Sequence, residues 1–177
     1  MAKAKLATVW LDGCSGCHMS FLDIDDRIIA LAEQADLVYS PLVDAKEFPE
    51  MVDVTLIEGA VSSQEDYEKI KKVRAHTRIL VSLGDCAVTA NVPGMRNAFN
   101  TKDVYSRAYL ENADTNKQIP VDVIPPLRPF SVPVHQVVAV DVFVPGCPPS
   151  ADAIFYTLTE LLAGRIPDLA EKSRFGA

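Results

Sequence analysis

Four cysteines hold most of the redox and metal-binding capacity of this 177-residue chain. Two form Cys14-Ser15-Gly16-Cys17, a C-x-x-C pair between an apolar run and a helical pattern. The other two, Cys86 and Cys147, lie far off in sequence, yet each also follows an apolar run and has Gly or Pro beside it. A dithiol of the thioredoxin kind uses Cys14 and Cys17 alone and leaves the other two as small buried hydrophobes. A structural zinc site favours two close pairs, and here there is one pair with two singles. A [4Fe–4S] cluster takes four thiolates from separate loops, so it uses all four with none left over. The cluster is the leading expectation, with zinc and the dithiol as rivals. Gly13, Gly16, Gly84 and Gly146 are then expected to let backbone come close and to offer N–H groups to sulfur. Pro145, Pro148 and Pro149 are expected to stiffen the last ligand loop.

The elements that must position these thiols alternate between two periodicities. Short apolar runs rich in β-branched residues predict strands at Lys5–Leu11, Asp36–Tyr39, Val52–Ile57, Arg78–Leu83 and Val137–Val144. Helical spacing of Phe21, Ile24, Ile28 and Leu31 predicts a helix after the first pair, with Ser20-x-x-Asp23 as its capping signal. Charged helix Ser63–Ala75 carries Tyr67, Ile70 and Val73 inward, and Ala151–Ala163 starts behind Ser150 as its cap. Strands alternating with helices make a parallel sheet with right-handed crossovers. Ligands of such sheets bind beyond the carboxyl ends of the strands. Cys14 and Cys17 follow the first strand, Glu58 the third, Cys86 the fourth and Cys147 the fifth, so topology alone converges them.

The length suits one domain with a real core. Hydrophobic residues make up 49% and charged ones 23%, with a mean hydropathy of +0.11, a surplus that a large subunit interface explains. A net charge of −7 and a pI near 4.9 argue against nucleic acid and against an anionic membrane. Lys3 and Lys5 imitate the start of a signal peptide, but the run Leu6–Leu11 is too short for its apolar core. No run approaches the roughly 20 residues that span a bilayer. The expected setting is the cytoplasm, where thiols more often bind metals than form structural disulfides. Residues 91–135 break the rhythm, with one weak helical stretch at Asp103–Leu110 and then Pro120, Pro125, Pro126, Pro129 and Pro133. A proline-punctuated excursion inside a compact domain is expected to serve a function, here subunit docking.

Taken together, Cys14-Ser15-Gly16-Cys17, Glu58-Gly59-Ala60-Val61, Gly84-Asp85-Cys86-Ala87 and Pro145-Gly146-Cys147-Pro148-Pro149 resemble the small subunit of [NiFe]-hydrogenases. The resemblance covers residues 5 to about 163. The run Gly16-Cys17-His18-Met19-Ser20-Phe21-Leu22-Asp23 resembles the cytoplasmic, bidirectional, NAD-reducing class in particular. This resemblance implies a flavodoxin-like three-layer α/β/α domain with a central parallel sheet of about five strands. It implies one proximal [4Fe–4S] cluster on Cys14, Cys17, Cys86 and Cys147. It also implies that the Ni–Fe centre lies on a large subunit, and that FMN and NAD bind diaphorase subunits carrying further clusters. The twin-arginine signal and the C-terminal medial and distal cluster domain of membrane-bound relatives are absent from the sequence, as are the extra cysteines of oxygen-tolerant ones. The related quinone-reductase subunit shares the Pro-Gly-Cys-Pro-Pro loop but has adjacent cysteines at the first site. Small subunits of the F420 and sulfhydrogenase types are the nearest alternatives, and a flavodoxin-like FMN-binding redox module is another. FMN in this chain is not expected, because the loop after the first strand, where its phosphate would sit, already holds Cys14 and Cys17.

The remaining side chains admit plainer readings. Glu58, beside the proposed cluster, is expected to handle protons or to tune the site at the subunit interface rather than to be a solvated loop acid. His18 is expected to face the interface rather than a cluster sulfur. His76 and His135 read as surface or rim residues and Trp10 as core. Lys69, Lys71, Lys72 and Arg74 read as the solvated face of a helix.

Overall fold

The computed structural model describes residues 3–176. Met1, at the start of the signal-like stretch, lies outside them. Chain order is β1 (Ala4–Trp10), α1 (Gly16–Leu22), α2 (Arg27–Gln34), β2 (Ala35–Tyr39), β3 (Val52–Glu58), β4 (Val61–Ser63), α3 (Gln64–Ala75) and β5 (Thr77–Leu83). There follow α4 (Asp85–Thr89), α5 (Asn91–Gly94), α6 (Thr101–Ser106), β6 (Leu127–Val132), β7 (Val142–Val144) and α7 (Ala151–Leu162). Five strands form a parallel sheet in the order β2-β1-β3-β5-β7. Counted within this sheet alone the order is 2-1-3-4-5, the doubly wound flavodoxin-like arrangement, whose order reverses between the first and third strands. The expected three-layer α/β/α fold is what the chain adopts.

Central strands β1, β3 and β5 are buried over most of their length because helices cover both faces. On one face Phe21, Ile24, Leu31, Ile154, Leu158 and Leu161 pack on Leu6, Val54, Leu56 and Val81. On the other, Ile70 and Val73 of α3 meet Val9, Ile57 and Leu80. Ser63 caps α3 with a reciprocal box, its hydroxyl accepting from the Asp66 N–H while the Asp66 carboxylate accepts from the Ser63 N–H. The Ser150 cap of α7 is likewise present.

Four expectations fail for local reasons. The first helix breaks in two because Asp25 takes a left-handed conformation, φ 60, between α1 and α2. Ser20 is no cap: α1 begins four residues earlier, and the Ser20 hydroxyl donates to the Pro149 carbonyl. The last predicted strand shrinks to Val142–Val144, since Val134, Val137, Val138 and Val140 instead pack their side chains on the second core. Asp141 ends the strand on its N-terminal side by taking the Leu80 N–H at 2.7 Å and the Arg74 guanidinium at 2.6 Å. Arg74 is consequently not part of a solvated face; it also donates to the carbonyls of Thr77 and Ala139. One pairing has no clear signal in the sequence: β4, just past Glu58, pairs antiparallel with β6 of the proline-rich excursion.

Candidate metal centre

Each thiol stands where a parallel strand ends. Cys14 lies exposed in the loop after β1, and Ser15, at φ 63, turns the chain so that Cys17 enters the first turn of α1 and is buried. Cys86 sits half-buried in the first turn of α4, and Cys147 is exposed in the loop after β7. All four line one recess with Gly16, Glu58, Asp85, Gly146 and Pro148. Gly84 makes that approach possible. Its φ is +82, and a Cβ there would lie 2.2 Å from the Cys17 sulfur, far inside contact distance. A Cβ on Gly16 would lie 3.3 Å from the Cys14 sulfur, and one on Gly146, at φ +136, 2.6 Å from the Pro149 Cα. Gly13 stands against Gly59 and the Glu58 carboxylate. The N–H groups of Gly84 and Gly146 are not free for sulfur: the first donates to the Val144 carbonyl and the second to the Asp85 carboxylate. At these two positions glycine supplies close approach instead. Donors for sulfur come from elsewhere, the Val92 N–H on Cys86 and the Asn91 side-chain amide 3.6 Å from the Cys147 sulfur.

All four cysteines are free thiols. Among the described residues no three His, Cys, Asp or Glu side chains come close enough to hold a single metal ion. The thiols nevertheless feel one another. Burial first, then the charge of Glu58 and the nearness of Cys86, Cys14 and Cys147, hold the Cys17 thiol far above its usual range. Burial also raises the Cys86 thiol, against the opposing Val92 hydrogen bond. Such thiols stay protonated at neutral pH until a thiophilic metal displaces the protons, so loading releases them to solvent.

Behind the recess runs a buried polar chain. The Glu58 carboxylate accepts a short hydrogen bond at Nδ1 of His18 and a longer one, 3.3 Å, from the His18 N–H. His18 Nε2 meets the Thr8 hydroxyl at 3.0 Å, and Thr8 donates to Ser40 at 2.8 Å. Glu58 is 1% exposed and His18 5%. The expectation that His18 faces the interface therefore fails; it is buried in this chain as the partner of Glu58. The solvated alternative for Glu58 fails for the same reason. Trp10, the last residue of β1, is 42% exposed rather than core. His135 is exposed, edge-on to Phe143, and His76 ends α3.

Residues 14–161 match the family of the NADH ubiquinone oxidoreductase 20 Kd subunit, a span that includes all four cysteines. The chain belongs to this family. Among curated relatives it is 43% identical, over 94% of its own length and 82% of the other's, to the delta subunit of the NAD-reducing hydrogenase HoxS of Cupriavidus necator. It is 31% identical to the delta subunit of sulfhydrogenase 2 of Pyrococcus furiosus, over 92% of this chain but only 64% of that longer one. Among solved structures it superposes on a chain of an NAD+-reducing [NiFe]-hydrogenase in the H2-reduced state with a TM-score of 0.94. That match has 38% identity and covers 98% of this chain and 99% of the other. The resemblance to small subunits of NAD-reducing [NiFe]-hydrogenases is thus upheld, and with it membership of an oxidoreductase family.

Sequence reasoning missed three participants. Asp85 carries no signal beyond its place beside Cys86. Thr8 and Ser40 look like ordinary strand and loop residues until the fold puts them on His18.

Proposed function

We propose that the chain is the electron-transfer small subunit of a cytoplasmic NAD-reducing [NiFe]-hydrogenase, with Cys14, Cys17, Cys86 and Cys147 holding one proximal [4Fe–4S] cluster. The observation that carries this reading is the convergence of four free thiols from three loops on one recess. When bound, such a cluster supplies one-electron transfer and breaks no substrate bond itself. Cys17 and Cys86 would hold its inner side and the exposed Cys14 and Cys147 its outer side, toward a partner. Glu58 and His18 close the floor as a hydrogen-bonded carboxylate and imidazole, so neither buried polar group beneath the sulfurs goes without a partner. The net reaction of the complex is H2 + NAD+ → NADH + H+. Hydrogen is cleaved at the Ni–Fe site of a large subunit, and FMN-bearing diaphorase subunits reduce NAD+.

Docking falls to residues 91–135. Met95, Phe99 and Phe130 are each at least 60% exposed there. The stretch holds five Lys and Arg against four Asp and Glu, a net +1 in a chain of −7. Such a patch suits burial against another subunit. Among the described residues no helix is long and apolar enough to cross a membrane.

Cys147→Ser tests the reading. It should abolish H2-dependent NAD+ reduction in the complex and spare NADH-dependent dye reduction by the diaphorase part. Iron and acid-labile sulfide should each reach about four per chain in anaerobically purified protein. Stoichiometric zinc, or survival of both activities in the variant, would reject the assignment.

A further inference from the structure

One buried carboxylate joins three segments at the rim of this site. Asp85 is 5% exposed. One of its oxygens accepts the Gly146 N–H at 2.7 Å, and the other accepts the Gly176 N–H at 2.7 Å. Its own N–H donates to the Gly146 carbonyl at 2.8 Å, so the residue before Cys86 and the residue before Cys147 bond each other in both directions. The tail that brings Gly176 is itself held. Leu169 packs on the first core, and its carbonyl accepts the N–H groups of Lys172 and Ser173 in a tight turn. The Lys172 ammonium lies 4.5 Å from the centre of the Tyr156 ring. The Ser173 hydroxyl donates to the Pro145 carbonyl, making a second attachment to the loop that carries Cys147. Asp85, Pro145–Gly146 and residues 173–176 thus close a ring of hydrogen bonds.

We propose that Asp85 is a positioning residue that fixes the Cys86 and Cys147 loops relative to each other, and that residues 170–176 form a strap closed on its second oxygen. The inference rests on the reading that these thiols hold the cluster, and it adds what sets their spacing. A carboxylate suits this position because it only accepts hydrogen bonds, and it serves two backbone donors at once. An amide in its place has one accepting oxygen, so Asp85→Asn must release either Gly146 or Gly176.

The test uses the complex as purified, with three variants: Asp85→Asn, Ser173→Ala and deletion of residues 170–177. In Asp85→Asn, amide exchange should rise about tenfold in the 170–176 peptide or in the peptide holding Gly146, whichever donor the amide releases, the loss expected for one charge-assisted hydrogen bond. Iron release to a chelator should quicken several-fold in Asp85→Asn and in the deletion, with broadened electron paramagnetic resonance of the reduced centre. Ser173→Ala should quicken release less, and it carries the iron measurement if Asp85→Asn does not fold. Unchanged exchange in Asp85→Asn in both the 170–176 peptide and the peptide holding Gly146, or iron release in the deletion equal to that of the parent, would overturn the strap. Parent protein without iron would reject the cluster reading alone, since the exchange measurement still judges the clasp.

Discussion

The buried polar side chains that line or underlie the thiol recess are paired within the chain, whereas residues 91–135 turn several large apolar side chains outward. Glu58, His18, Thr8, Ser40 and Asp85 each find a partner at the strand ends, and all are buried. The excursion is tied to the rest of the chain along β4, through the β4–β6 pairing, the Arg96 guanidinium on the Ser62 carbonyl and the Ser62–Ser131 hydroxyl pair, and it is braced internally where Asn97 exchanges two hydrogen bonds with the Ser131 backbone. The contrast separates two kinds of surface. A site that must hold thiols at fixed spacing needs rigid, satisfied surroundings. A docking face completes its packing only when the partner arrives, so its apolar side chains stay uncovered in the single chain.

The sharpest way to break this contrast compares two glycines. Gly84→Ala should remove nearly all iron and sharply destabilise the chain, because the added methyl meets the Cys17 sulfur and the backbone is left-handed. Gly94→Ala, inside the excursion, meets the Ala90 Cβ at 3.3 Å without a positive φ, and should change stability by less than about 1 kcal/mol. Iron content and thermal midpoints of the two variants decide the point; equal losses would erase the distinction.

Next in size is the buried pair. Glu58→Gln and His18→Ala should each cost about 1–3 kcal/mol in urea unfolding, since each leaves a buried polar partner unmet. Their double variant should cost clearly less than the sum, a coupling of about 1 kcal/mol or more. Additive losses would mean the two side chains act apart.

Docking makes the opposite demand. Met95→Lys with Phe99→Lys should leave stability within about 0.5 kcal/mol while retention of the large subunit on co-purification falls at least tenfold. A complex that survives the two charges would move the interface elsewhere.

The smallest effect belongs to pH. Glu111 is held below its usual range by hydrogen bonds from Arg107 and Ser106 and by the Arg107 charge. A depressed carboxyl stabilises the folded form above its unfolded value, near 4.5, and loses that contribution as pH falls through the lower folded value. The turn at Arg107–Glu111 should therefore loosen below about pH 4 before the sheet does, followed by the Glu111 carboxyl shift in nuclear magnetic resonance. Salt should weaken the effect, because the pair is exposed.

Much of this was legible beforehand where residue type and period agree. Four of the five sheet strands and the cap of α7 follow from apolar runs and Ser placement, and the convergence of the cysteines follows from strand ends. What stayed hidden depended on tertiary partners. Nothing local shows that Asp25 turns left-handed, or that Val137–Val140 spend their side chains on the second core instead of extending a strand. His18 and Trp10 departed from their expected places because burial depends on tertiary partners, Glu58 and Thr8 for His18 on α1, that composition does not record.

The strand order also carries a consequence for assembly. Cys14 and Cys17 lie near the start of the chain, while Cys147 follows β7, the edge strand added last in sequence. Parallel pairing across such separations is slow, because each crossover closes a long loop before its contacts form. During synthesis the first two thiols are therefore present long before the fourth. If the four thiols hold one cluster as proposed, it can be loaded only once the far edge of the sheet is in place, which would make metal insertion a late checkpoint on folding.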